Sequence, residues 1–130
     1  MAILLSFDID GTLELGDPPG GITIEMVRRA FELGFLVGSC SDRALSSQRA
    51  MWQRLNIEPL FVASKHQLGE IRAQIEADAY YHIGDRDTDR QAAADNGFGF
   101  WWNYEGVEEP WLSLKTPHGI QTPGGEDFSG

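Results

Sequence analysis

The chain has 130 residues, with 20 acidic against 10 basic side chains and a formal net charge of -10. That length suits one domain with its own core and is too short for two, and the acidic balance runs against a general nucleic-acid binder. The single cysteine, Cys40, excludes an internal disulfide framework and any multi-cysteine zinc site.

The first predicted element is a buried parallel strand, Ile3-Leu4-Leu5-Ser6-Phe7, an apolar run too short for a helix. It leads into Asp8-Ile9-Asp10-Gly11-Thr12-Leu13. Strand alternation puts Asp8 and Asp10 on one side. Two carboxylates so close repel unless a cation or a shared proton relieves them. Gly11 permits a sharp turn just after them. Taken alone, Asp-x-Asp-Gly is also a common acidic surface turn.

Residues 11–21 read as a loop, rich in glycine and proline from Gly16 to Gly21. Thr23 is placed to cap a helix whose Ile24, Val27 and Phe31 share a face, and Gly34 ends it. A second buried strand covers residues 35–39. A helix over residues 44–55 follows, with Asp42 as its cap and Leu45, Trp52 and Leu55 facing inward. Residues 60–63 form a third strand, followed by a helix carrying Leu68, Ile71 and Ile75 at helical spacing. Residues 80–83 form a fourth strand. An alanine-rich helix over residues 89–95 stops at Asn96-Gly97, and residues 98–102 form a fifth strand.

Strands alternating with helices over short connections imply a three-layer α/β/α sandwich around a Rossmann-like, five-stranded parallel sheet. One catalytic domain is expected over residues 1–115, with a mobile Gly/Pro-rich tail over residues 116–130. The opening residues lack the pattern of a signal peptide, and no apolar run reaches the length of a bilayer. A reduced, cytoplasmic setting without membrane contact is therefore expected.

Polar residues fall just beyond these apolar strands. Asp8 and Asp10 follow the first; Ser41, Asp42 and Arg43 the second; Lys65 the third; Asp85, Asp87 and Asp89 the fourth. In a parallel sheet those ends share one edge, where ligands of open α/β folds bind. Clustered carboxylates without cysteine or paired histidines suit a hard, oxygen-loving cation, foremost Mg2+. A phosphate ester gives each group a task. The cation and Lys65 would neutralise the phosphoryl group. Ser41 and backbone N–H groups near Gly11 and Thr12 would hold its oxygens. One aspartate would attack phosphorus and the other would shuttle the proton.

The chain resembles the haloacid dehalogenase superfamily of phosphohydrolases. The resemblance rests on Asp8-Ile9-Asp10-Gly11-Thr12-Leu13, on Ser41, on Lys65, and on Gly84-Asp85-Arg86-Asp87-Thr88-Asp89 with the alanine-rich helix up to Asn96-Gly97. It spans residues 3 to about 102, in the family's order. It implies a central first strand with the fourth beside it. It implies Asp8 as nucleophile and metal ligand, and Asp10 as acid/base with its backbone carbonyl on the metal. Asp85 would be a ligand, and Asp89 would support the metal directly or through water. Ser41 and Lys65 would hold the phosphoryl group. Lys65 lacks the prolines that commonly follow the family's lysine; the other lysine, Lys115, lies beyond the fifth strand. Neither gap between motifs has room for a cap domain, so the likeness is to capless members. Those take exposed or macromolecular substrates, or close their sites by oligomerising.

Other residues admit blander readings. Arg43 and Arg86 contact substrate or pair with a neighbouring aspartate, and pairing is preferred. Asp87 reads as a helix cap, His82 as a packed or hydrogen-bonded histidine, His66 as a neighbour of Lys65 before a substrate contact, and His118 as solvated. Cys40 reads as a small buried side chain. Trp101, Trp102 and Trp111 read as core or oligomer packing before stacking on a base or sugar. Residues 107–114 suit a short helix burying Val107, Trp111 and Leu114, or meeting another subunit of a homo-oligomer.

The expected activity is Mg2+-dependent hydrolysis of a phosphate monoester through an aspartyl-phosphate. A phosphorylated small molecule is preferred over a nucleic-acid end. The Ser41-x-Arg43 pattern is similar to that of polynucleotide phosphatases, but the acidic balance opposes that substrate. Alternatives are a non-catalytic module binding a phosphorylated ligand or partner, and a receiver-type signalling domain. The latter's aspartate would follow the third strand, where Ala63-Ser64-Lys65 has no acid.

Overall fold

The computed structural model describes residues 2–103 and Trp111. Five strands, β1 (Ile3–Phe7), β2 (Leu36–Ser41), β3 (Val62–Ser64), β4 (Ala79–Gly84) and β5 (Gly99–Trp102), form one sheet in the order β3-β2-β1-β4-β5. Every pairing is parallel. Between them run α1 (Ile24–Glu32), α2 (Leu45–Arg54), α3 (Leu68–Gln74) and α4 (Asp87–Asp95). This is the expected α/β sandwich, with β1 central and β4 beside it.

The two faces of the sheet follow from strand alternation. Ile3, Leu5 and Phe7 of β1 face one way, with Val37, and pack against Val27 and Ala30 of α1 and Met51 and Trp52 of α2. Leu4, Cys40 and Ala63 face the other way, against Leu68 and Ile71 of α3 and Ala93 of α4. Trp111 is fully buried on the first face, its ring edge-on to Phe7 with centroids 5.4 Å apart. The rest of the helix expected over 107–114 and the tail beyond it lie outside the described residues. At the edge of the sheet Trp101 stacks on Tyr81, and Trp102 meets Phe100 edge-on. No helix among the described residues is long and apolar enough to cross a membrane.

Thr23 caps α1 as expected, its Oγ1 accepting the Met26 N–H at 3.1 Å, a bond whose loss typically costs about 1 kcal/mol. Gly34 adopts φ 96° just past that helix, the left-handed value that terminates it. Asp42 does not cap α2. Its cap position is Ala44, without a side-chain bond. Asp42 instead turns its exposed carboxylate toward Lys65, at 3.6 Å. Asp87 is the first residue of α4 rather than its cap, and pairs with Arg90 at 3.6 Å on the surface.

The buried face of α2 also differs from expectation. Gln48, Met51 and Trp52 are buried, whereas Leu45 and Leu55 are half-exposed. Gln48 repays its burial with hydrogen bonds: its amide donates to the Arg43 and Ala63 carbonyls, and its oxygen accepts from Ser39 Oγ at 2.7 Å. Trp52 Nε1 donates to the same Ser39 oxygen at 2.9 Å. These bonds tie the loop after β2, which carries Arg43, to the inner face of α2. Strand β3 starts later than expected, at Val62, leaving Leu60 and Phe61 outside it, and Leu60 is 51% exposed.

Candidate metal centre at the strand ends

The sheet reverses its winding between β1 and β4: β2 and β3 were added on one side, β4 and β5 on the other. Such a switch point opens a crevice at the carboxyl ends of the two strands. Asp8 follows β1 and Asp85 follows β4, while Asp89 sits in the first turn of α4. One carboxylate oxygen from each of Asp8, Asp85 and Asp89 lies within 4.8 Å of the others. Two glycines make that closeness possible. A Cβ on Gly11, at φ 77°, would sit 2.0 Å from Asp85 Oδ2, and one on Gly84 would sit 2.4 Å from Asp89 Cγ.

Lys65 completes the cluster. It occupies the 3-10 turn Lys65–Gln67 that follows β3. Its ammonium lies 3.0 Å from Asp89 Oδ1 and 3.7 Å from Asp8 Oδ1. Burial works against its charge, but the Asp8 and Asp89 carboxylates outweigh that and hold the lysine above its usual range. Asp89 is held below the usual carboxylate range. Its burial is overcome by the His82 hydrogen bond and by Lys65. Asp8 behaves in the opposite way. Burial, then the charge of Asp89, push it to about 7, with Lys65 only partly compensating. Of the two, Asp8 holds a proton more readily, because Asp89 has the better donors. Asp85 Oδ1 is buried with no hydrogen-bond partner among the described residues. Three hard oxygen donors, one of them orphaned, fit a divalent cation, which would relieve the repulsion felt by Asp8.

Behind the cluster runs a polar chain through the core. His82 Nε2 lies 2.8 Å from Asp89 Oδ1, and Nδ1 lies 2.9 Å from Ser6 Oγ. All three residues are fully buried. The expectation of a hydrogen-bonded His82 is met, but its partners were not foreseen. The signal was present: Ser6 and His82 are polar residues inside apolar strands, and they are register partners across β1 and β4. Only the register reveals it.

Asp10 lies in the turn that follows β1. β1 ends at Phe7, and the chain turns at Ile9, whose carbonyl accepts the N–H groups of Thr12 and Leu13. Asp10 is clamped by Arg43, with Nη2 on Oδ1 at 2.5 Å and Nε on Oδ2 at 3.3 Å. It also accepts the Asp17 N–H at 2.8 Å. Partial burial would raise Asp10, but the Arg43 and Asp17 hydrogen bonds hold it below the usual range. Arg43 thus makes the aspartate pairing preferred for it. Arg86 has no side-chain ion pair among the described residues.

The N–H groups of Gly11 and Thr12, expected to face phosphate, are already engaged. They donate to the Pro18 and Ile9 carbonyls at 2.6 and 3.0 Å. What Thr12 offers instead is its buried hydroxyl, which donates to Asp8 Oδ2 at 3.3 Å. Ser41 is the last residue of β2, and its Oγ accepts the Arg43 N–H at 3.1 Å, leaving its proton free. His66 is exposed beside Lys65. Cys40 is buried, and burial pushes its thiol up to about 12, far from a nucleophile. Asp8, Asp85, Asp89 and Lys65 thus converge, and Asp10 is paired with Arg43. No family model, no curated protein and no solved structure matches this chain.

Proposed function

We propose that this chain is a Mg2+-dependent phosphohydrolase of the haloacid dehalogenase type, acting on a phosphate monoester. The observation that carries the reading is the convergence of Asp8, Asp85 and Asp89 around one point, with Lys65 bridging two of them and Asp85 Oδ1 unpartnered. Asp8, Asp85 and Asp89, with the Asp10 carbonyl, would hold the cation. Bound Mg2+ would supply the charge that keeps Asp8 ionised at neutral pH and offsets the phosphoryl oxygens.

The residues of the chain divide the remaining work. Asp8 attacks phosphorus and forms an acyl phosphate as the ester oxygen departs. Thr12, through its hydroxyl on Asp8 Oδ2, orients that carboxylate. Lys65 and the Ser41 hydroxyl hold the phosphoryl oxygens. Asp10 gives a proton to the leaving oxygen. It then takes one from the water that attacks phosphorus and frees Asp8. For this, Asp10 must leave Arg43, whose guanidinium is then available to an anionic group of the substrate. A phosphorylated small molecule suits the acidic balance of the chain better than a nucleic-acid end.

One observation favours a second reading. Because Asp10 is already engaged by Arg43, the same site would also serve a non-catalytic module that binds Mg2+ and a phosphorylated ligand. Turnover separates the two. An aryl phosphate and a panel of sugar and nucleotide phosphates, assayed with Mg2+ and with chelator, should reveal Mg2+-dependent release of phosphate. Asp8→Asn should lower it by about 1,000-fold or more while its circular dichroism stays native. Undiminished hydrolysis by that variant would refute Asp8 as nucleophile. A silent panel with retained phosphate binding would favour the binding module.

A further inference from the structure

We infer that Ser6 and His82 are positioning residues, which hold Asp89, and through it Lys65, in register with Asp8. The geometry stands by itself; its consequence for turnover rests on the phosphohydrolase reading above.

Asp89 Oδ1 receives two donors from opposite sides, His82 Nε2 at 2.8 Å and Lys65 Nζ at 3.0 Å. Oδ2 receives the Arg86 N–H at 3.2 Å. An ionised carboxylate only accepts, so Nε2 must carry a proton whether the ring is neutral or charged. In the neutral ring Nδ1 is then an acceptor, and the Ser6 hydroxyl is the donor that meets it at 2.9 Å. The chain Ser6–His82–Asp89–Lys65 is thus satisfied at each of these links, and the first three members are fully buried. Ser6 selects the ring orientation, the ring fixes the plane of the carboxylate, and the carboxylate sets the ammonium 3.7 Å from Asp8 Oδ1. His82 meets the acidic cluster at Asp89, and Ser6 meets it through His82. A ring turned end for end would aim carbon at Asp89 and leave Oδ1 with Lys65 alone.

The chain has only two lysines, Lys65 and Lys115, which makes the tether measurable without any substrate. Limited acylation with an amine reagent, followed by mass spectrometry, gives the labelling of Lys65 relative to Lys115. His82→Phe keeps a ring but removes the donor, and the ratio should rise several-fold. His82→Gln keeps an amide N–H near the reach of Nε2 and should return the ratio to that of the wild type. Ser6→Ala should raise it in the same direction, and it carries the test if His82→Phe does not fold. In parallel, His82→Phe should lower Mg2+-dependent ester hydrolysis about 10- to 100-fold, as loss of a group behind a ligand commonly does, and His82→Gln should recover most of it. Folded Ser6→Ala and His82→Phe proteins with unchanged Lys65 labelling would overturn the inference, even in an active phosphatase. A labelling contrast in a wild-type protein that hydrolyses nothing would uphold the tether and remove the phosphohydrolase reading instead.

Discussion

Asp8 carries the sharpest conflict of charge among the described residues. It is almost fully buried, it faces the Asp89 carboxylate, and its single strong compensation, Lys65, is shared with that carboxylate. Burial and Asp89 raise it from 3.8 to about 7. A carboxyl group raised on folding favours the folded state most below its unfolded value and loses that contribution as pH climbs through the folded one. Without a cation, the protein should therefore lose stability between about pH 4 and pH 7, by up to about 1.4 kcal/mol per pH unit. Asp8→Asn cannot ionise. In chelator at pH 8 it should be more stable than the wild type by on the order of 2 kcal/mol, and its stability should vary less from pH 4 to pH 7. Urea unfolding at a series of pH values checks this, and a variant less stable at pH 8 would contradict it. Asp8, Lys65, Asp85 and Asp89 were legible in the sequence because each follows an apolar strand that could be read from composition. The partners of Asp10 were not. They depend on a turn at Ile9 and on an arginine from a different loop, and neither leaves a pattern in spacing.

At the level of elements, the turn after β1 and the loop after β4 are interlocked by contact rather than by a bond. Gly11 has φ 77°, and the place of its absent Cβ is filled by Asp85 Oδ2 at 2.0 Å. Gly11→Ala therefore combines a strained backbone with a clash. The carboxylate must move out of the cluster, since the neighbouring Ile9 and Pro18 carbonyls already anchor the turn. A stability loss of about 1–3 kcal/mol is expected, along with a Mg2+ affinity at least tenfold weaker by calorimetry. Intact affinity would mean that Asp85 is not a ligand. The alternation of strands and helices was readable because buried parallel strands are short apolar runs and the amphipathic helices between them carry a 3.6-residue period. Helix α2 was the exception in detail. Its inner face includes Gln48, which helical spacing aligns with Trp52 but whose polarity assigns it to solvent; the carbonyls of Arg43 and Ala63, brought there by the fold, make its burial tolerable. The Ser6–His82 pair was hidden for the same reason, since a parallel register joins residues 76 positions apart.

For the molecule as a whole, the net charge of -10 means that any cation will relieve some repulsion, so a stabilising effect of Mg2+ is informative only against a salt control. Diffuse screening depends on ionic strength and saturates without stoichiometry. A bound ion adds RT ln(1 + [Mg2+]/Kd), about 1.4 kcal/mol at ten times Kd, on the order of 5 °C in Tm for a chain of this size. Mg2+ should therefore raise Tm beyond KCl at matched ionic strength. Asp85→Asn changes the net charge by only one unit, so it should keep the KCl response while losing the Mg2+ increment. It removes the charge behind the carboxylate oxygen that has no hydrogen-bond partner among the described residues. In chelator it should be no less stable than the wild type, because the charge removed lies beside Asp8. Equal thermal shifts with Mg2+ and KCl would reduce the three converging aspartates to an acidic cluster that holds no ion. The same would follow from an increment that persists in Asp85→Asn.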